Sequence, residues 1–203
     1  MFKQIALCEN CKFYNCDFPP IFPKVVNVSV PIMFIGENPS WAKNIQEPLG
    51  SNTKSGKSFE EHYLKKIGLN REDVWITNLF KCRYPKDFHK KSNEKTIMEN
   101  ASVCVEKWLV QEILYAKPKI IITLSAKQVF SRFNKILKLD LSNNFEKVAG
   151  NKHDIEVKNH KTILFPMVHP DILSNNSKGL CEKWMPIHQN EHIPKLKQLL
   201  LSL

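Results

Sequence analysis

No apolar run in this 203-residue chain approaches the roughly 20 residues that a helix needs to cross a bilayer, so a membrane-spanning helix is not expected. The opening stretch from Met1 to Leu7 is too short for a signal peptide, which makes the cytoplasm the expected compartment. No internal repeat or low-complexity tract is visible, which sets aside repeat architectures and long compositional linkers. Acidic residues are also in short supply. Twenty Asp and Glu stand against 30 Lys and Arg, giving a net charge of +10 and a pI near 9.3, an excess that favours a polyanionic partner such as nucleic acid or a membrane surface. The length suits one domain, 1–203, with ample chain to bury a core.

Four apolar stretches read as strands: 31–36, 74–79, 119–125 and 162–168. Each is hydrophobic nearly throughout, as parallel strands covered on both faces must be. Helices are expected at 59–67, where Gly68 stops the first of them, and at 96–117, 126–139 and 191–203. In the second of these, Val103, Trp108, Leu109, Glu112 and Ile113 recur at mixed helical spacing, and the apolar members read as core. The polar segments 41–58 and 86–95 read as loops, the latter lysine-rich and exposed, and 142–161 as irregular or a small hairpin. The N-terminal run broken by Pro19, Pro20 and Pro23 reads as an arm over the surface. Strand and helix alternate four times, which makes the expected fold α/β: a three-layer α/β/α sandwich around a four-stranded parallel sheet with right-handed crossovers.

In such sheets ligands bind at the carboxyl ends of the strands. Here each end delivers a distinctive residue to one rim: Glu37 and Asn38, then Asn78, Ser125 and His169. The second end is the most crowded, since Lys81, Cys82 and Arg83 follow Asn78 within five positions. In a reducing compartment six cysteines point to metal or burial before disulfides. Cys8 and Cys11 have metal-gripping spacing and Cys82 and Cys104 lie 22 positions apart, so the four form a potential thiolate site. Spacing alone leaves zinc, an iron–sulfur cluster and unligated buried thiols open. Cys16 and Cys181 read as structural.

Several ordered segments carry a resemblance: Cys8-x-x-Cys11, Gly36-Glu-Asn-Pro-Ser40, Arg71 to Pro85, Cys104-x-x-x-Trp108, the strand from Pro118 to Ser125, and Phe165-Pro-Met-Val-His-Pro170. In this order the chain resembles the uracil-DNA glycosylase superfamily, and most of all its family 4, the iron–sulfur-containing bacterial and archaeal enzymes. The resemblance implies a uracil-DNA glycosylase-like fold and a 4Fe-4S cluster on Cys8, Cys11, Cys82 and Cys104, the N-terminal arm 1–30 supplying the first two. The cluster is implied to be structural or DNA-positioning, with no part in bond cleavage. It also implies that the turn of Gly36, Glu37 and Asn38 holds the attacking water, that Asn78 reads the flipped base, and that His169 stabilises the departing base.

The chemistry suits those residue types. Breaking an N-glycosidic bond leaves an oxocarbenium-like sugar and pushes negative charge onto the base carbonyls, where a donor such as His169, even neutral, favours the transition state. Asn38 orients water but is a poor base; Glu37 is a candidate base. The Asn78 carboxamide matches the Watson–Crick edge of a pyrimidine. Pro39, Ser40 and Leu49 complete the expected base pocket, while Lys81, Arg83, Ser125 and Pro170 are expected at the DNA backbone and Leu173 as the wedge. The chain departs from the family pattern in three places. Leu49 stands where family 4 has an aromatic ring, Ser40 is small where the uracil-specific branch has tyrosine, and Asp171 to Asn176 replaces the usual arginine and leucines. The Cys82–Cys104 linker is also longer than usual.

The expected activity is a monofunctional DNA glycosylase, a monomeric enzyme acting on single- or double-stranded DNA with uracil as the default base. An alternative is excision of another deaminated base or of a bulky modified pyrimidine, such as hypermodified cytosine in phage DNA, which would make it an antiviral defence enzyme. An alternative of another class is a catalytically silent DNA-binding or damage-sensing module, whose signature would be loss of Asn38 or His169; both are present.

Overall fold

The computed structural model describes residues 8, 9, 11, 13, 20–23, 31–41, 45–83, 93–174 and 178–203. Residues 84–92, which include most of the lysine-rich segment 86–95, Cys16 and most of the N-terminal arm lie outside them. The sheet contains β1 (Ile32–Gly36), β2 (Trp75–Asn78), β3 (Ile120–Thr123), β4 (His153–Val157) and β5 (His160–Leu164) in the order β2-β1-β3-β5-β4. β1 pairs in parallel with both β2 and β3, and β3 with β5. The four strands read from sequence are all present, but the sheet has five. β4 runs antiparallel to β5 at the edge, joined to it through Lys158 and Asn159, both with positive φ, as a tight two-residue hairpin requires.

Side-chain alternation sorts the strands into two cores. Met33, Ile35, Trp75 and Ile121 face a layer holding α2 and α3. The first of these helices is continuous through Glu94–Cys104, Val105–Leu109 and Val110–Ala116, and the second through Ala126–Ser131 and Arg132–Leu137. Ile32, Phe34, Ile76 and Ile122 face the other layer, formed by α1 and α5. The helix α1 comprises Lys54–Phe59, a π-helical turn Glu60–Leu64 and Lys65–Ile67. Between α3 and β4 lies the short α4 (Phe145–Val148), and α5 runs through Lys178–Ile187, His188–His192 and Ile193–Leu201.

Two helices therefore begin earlier than the sequence indicated. α1 starts inside the expected loop, where the Thr53 hydroxyl caps the helix by accepting from the Gly56 N–H at 2.9 Å. The last helix begins at Lys178 and runs on through Pro186 and Pro194. Val103, expected in the core, is exposed. No helix among the described residues is long and apolar enough to cross a membrane.

Candidate active site

All four parallel strands deliver their carboxyl ends to one rim, where backbone hydrogen bonds lock the turns together. Leu79 N–H donates to Gly36 O at 2.9 Å and Phe80 N–H to Glu37 O at 2.8 Å, tying the β1 turn to the β2 turn. Ser125 N–H donates to Met167 O at 3.0 Å, tying the β3 turn to the segment that leads into His169.

Gly36 and Asn78 are register partners. A Cβ on Gly36 would lie 2.7 Å from Asn78 Oδ1, so the glycine serves close approach and makes room for the carboxamide. Asn78 is 1% exposed, and its Nδ2 has no hydrogen-bond partner among the described residues. A buried donor left unpaired costs about 1–3 kcal/mol, which an arriving acceptor would offset.

His169 follows β5 on a turn gripped from both sides by α1. Tyr63 Oη donates to Val168 O and Ser58 Oγ to Pro170 O, both at 2.5 Å. The imidazole is part-exposed. Its Nδ1 accepts from Asp171 N–H at 3.2 Å, so the neutral ring carries its proton on Nε2. Burial holds its pKa below the usual histidine value, against the opposing pull of the Asp171 and Glu37 carboxylates, and this electrostatic reach of Glu37 brings the β1 turn and the His169 turn into one neighbourhood.

Glu37, the candidate base, is ion-paired: Arg132 Nη1 lies 2.7 Å from its Oε1. Arg132 is 5% exposed and also donates through Nε and Nη2 to Glu94, at 3.3 and 3.4 Å. Sequence reasoning missed this arginine, because nothing local marks which residue of α3 faces the β1 turn. Asn38 Nδ2 donates to Pro39 O at 3.1 Å, keeping its side chain within its own turn, and Ser40 beside it is partly exposed. Leu49 has a φ of 50° and packs at the margin of the α1 core. Its loop is held by Arg71, which donates to Pro48 O at 3.1 Å and lies 3.2 Å from Glu47.

Four of the expected DNA contacts are buried. Lys81 is buried, its ammonium engaged by Glu112, Thr77 and the Asn78 carbonyl, so it is not available to a phosphate. Leu173 is 1% exposed within the core, whereas a wedge must protrude. Arg83 is only 8% exposed, and burial lowers its pKa. Pro170 is also buried, in the 3₁₀ turn Pro170–Ser174. Ser125 is at the rim with a φ of 125° and ψ of 145°, a conformation ordinarily kept for glycine, and its hydroxyl donates to Gln128 Oε1 at 2.6 Å.

Cys8, Cys11, Cys82 and Cys104 all pack on one core cluster. A hydrogen bond with Cys11, burial and the charges of Cys11, Cys104 and Cys8 raise the Cys82 pKa. Burial, opposed by Lys81, pushes Cys104 up to about 12. Trp108 Nε1 donates to Cys8 Sγ at 3.2 Å and Lys81 N–H to Cys104 Sγ at 3.3 Å. Among the described residues no group of three or more Cys, His, Asp or Glu is arranged so that it could hold a metal ion. Cys181 is buried elsewhere in the fold.

The open α/β sheet thus brings an unsatisfied carboxamide and an oriented imidazole to one rim. The family model described as the Uracil DNA glycosylase superfamily matches residues 23–194, and the chain belongs to that superfamily. Within it, the chain is similar to proteins named type-4 uracil-DNA glycosylase. The one from Saccharolobus solfataricus is 30% identical over 169 residues, covering 82% of this chain and 72% of the relative. That from Sulfurisphaera tokodaii is 27% identical, covering 83% and 71%, and that from Archaeoglobus fulgidus 28% identical, covering 83% and 78%.

Proposed function

We propose that this chain hydrolyses the N-glycosidic bond of a uracil flipped out of DNA and leaves an abasic site. It is a DNA glycosylase, a hydrolase of N-glycosyl bonds, and the observation that carries the reading is the buried Asn78 amide with no partner among the described residues. In this reading a uracil carbonyl accepts from Asn78 Nδ2, while the Asn78 oxygen, next to Gly36, accepts from the base N–H. His169, neutral and protonated on Nε2, donates to the other base carbonyl as it gains negative charge. Asn38 orients the attacking water. Glu37 is held by its ion pair with Arg132, which fixes the turn that carries Asn38.

The four thiols, packed on one core cluster, suit a 4Fe-4S cluster, in which each thiolate ligates its own iron. Cys8, Cys11, Cys82 and Cys104 would hold it, with the N–H groups of Trp108 and Lys81 on two of the sulfurs. Such a cluster supplies structural support and takes no part in bond cleavage. The reading extends to one domain, 1–203, with an arm at 1–30, acting as a cytoplasmic monomer.

The test is incubation with oligonucleotides that each carry one altered base, followed by detection of free base. Release of uracil is expected. Release of a modified cytosine without uracil would move the substrate to the bulky-pyrimidine class, and no base from any substrate would leave a silent DNA-binding module.

A further inference from the structure

The most deeply buried ion pair among the described residues joins Lys81 and Glu112, whose side chains are 1% and 0% exposed. Lys81 Nζ lies 2.9 Å from Glu112 Oε1, off the hydrogen-bond line. It donates to Thr77 Oγ1 and to Asn78 O, each at 2.7 Å, and Thr77 Oγ1 in turn donates to Glu112 Oε2 at 2.6 Å. The lysine, the acid and the threonine thus close around the final two residues of β2. The main-chain N–H of the same lysine donates to Cys104 Sγ, so the thiol site backs the arrangement.

Stability alone does not account for these charges, because apolar side chains of similar volume usually replace a buried pair with little loss. What apolar side chains cannot do is grip the Asn78 carbonyl. Among the described residues the Asn78 amide nitrogen has no hydrogen bond to orient it, so its direction depends on the Asn78 backbone and the wall formed by Gly36. We infer that Lys81 and Glu112, with Thr77 between them, are positioning residues that hold the Asn78 peptide and so aim its carboxamide at the base. The inference rests on the reading of Asn78 as the base-contacting group.

The test is the paired replacement Lys81→Met with Glu112→Leu in the full chain, which leaves no buried charge unpaired. The protein is expected to fold with a urea midpoint near the parent's, while kcat on single-uracil DNA falls roughly 10- to 100-fold and KM changes little. In an Asn78→Ala background the same pair of changes is expected to have no further effect on kcat, since nothing remains to be aimed. A folded double variant with parental kcat, or a loss of equal size in the Asn78→Ala background, overturns the inference. If the double variant fails to fold, Thr77→Val provides the same cycle with both charges kept and one hydrogen bond removed from each. The Asn78 side-chain amide resonances give a reading independent of turnover: they are expected to shift or broaden in the double variant, and unchanged resonances refute the inference. A parent that releases no base, with resonances that still move, would sink the uracil reading while leaving this one standing.

Discussion

Gly36→Ala tests whether the Asn78 carboxamide is lodged where the geometry puts it. The new methyl would lie 2.7 Å from Asn78 Oδ1, against at least 3.4 Å for ordinary contact, so the carboxamide must retreat by about 0.7 Å. The Asn78 main chain cannot follow, because Lys81 holds its carbonyl and Leu79 N–H is bonded to Gly36 O. The side chain must rotate instead. A displacement of this order at a reacting centre costs on the order of 100-fold in rate. That is about 2.7 kcal/mol of transition-state stabilisation. Overpacking typically destabilises by about 1–3 kcal/mol, and the lower end is expected here because a side-chain tip is the clashing atom. The assay is single-turnover release of uracil from a duplex with one uracil, enzyme in excess, with a urea melt and a DNA-binding titration on the same preparation. Cleavage at the parental rate by folded Gly36→Ala protein refutes the reasoning.

His169→Ala is expected to slow the cleavage step roughly 100-fold or more while leaving DNA affinity nearly unchanged; unchanged turnover would remove His169 from the mechanism. Ser125→Gly should stabilise the fold by about 1–2 kcal/mol in urea melts, because it relieves a backbone conformation that a serine holds under strain. Burial lowers the pKa values of His188 and His192 to about 4, so the fold favours their neutral forms. Their contribution is complete above about pH 6.5 and is lost as pH falls through 4, on the order of 3 kcal/mol each. Melts across that range should show the decline, and it should shrink in His192→Gln. Cys82→Ala should abolish the broad absorbance near 400 nm of an iron–sulfur protein; colourless, zinc-containing parent protein would contradict the cluster.

The parts of the fold that were legible in sequence are those whose signal is local. β1 and β3 are buried on both faces and so appear as unbroken apolar runs. β4 was hidden because His153–Val157 is an edge strand that alternates exposed charge with buried Ile155 and Val157. The start of α1 was obscured by the Ser, Gly and Lys residues of its first turns, although Thr53 carried a readable cap signal. For the site, strand-end position singled out Asn78 and His169 as candidates but could not give the direction of a long side chain. Lys81 turned inward because its partner, Glu112, lies 31 positions away on α2. The one hint was an acid recurring among the apolar positions of that helix. Arg132 had no such hint, since its meaning comes only from the two carboxylates that the fold brings to it.

The central claim is that the Asn78 amide, unpartnered among the described residues, awaits a base carbonyl on the rim that also carries His169. A crystal structure of the protein soaked with free uracil tests it most directly. One uracil oxygen is expected about 2.9 Å from Asn78 Nδ2 and another within hydrogen-bond reach of His169 Nε2. Uracil bound elsewhere, with the Asn78 amide still unpaired, would contradict it.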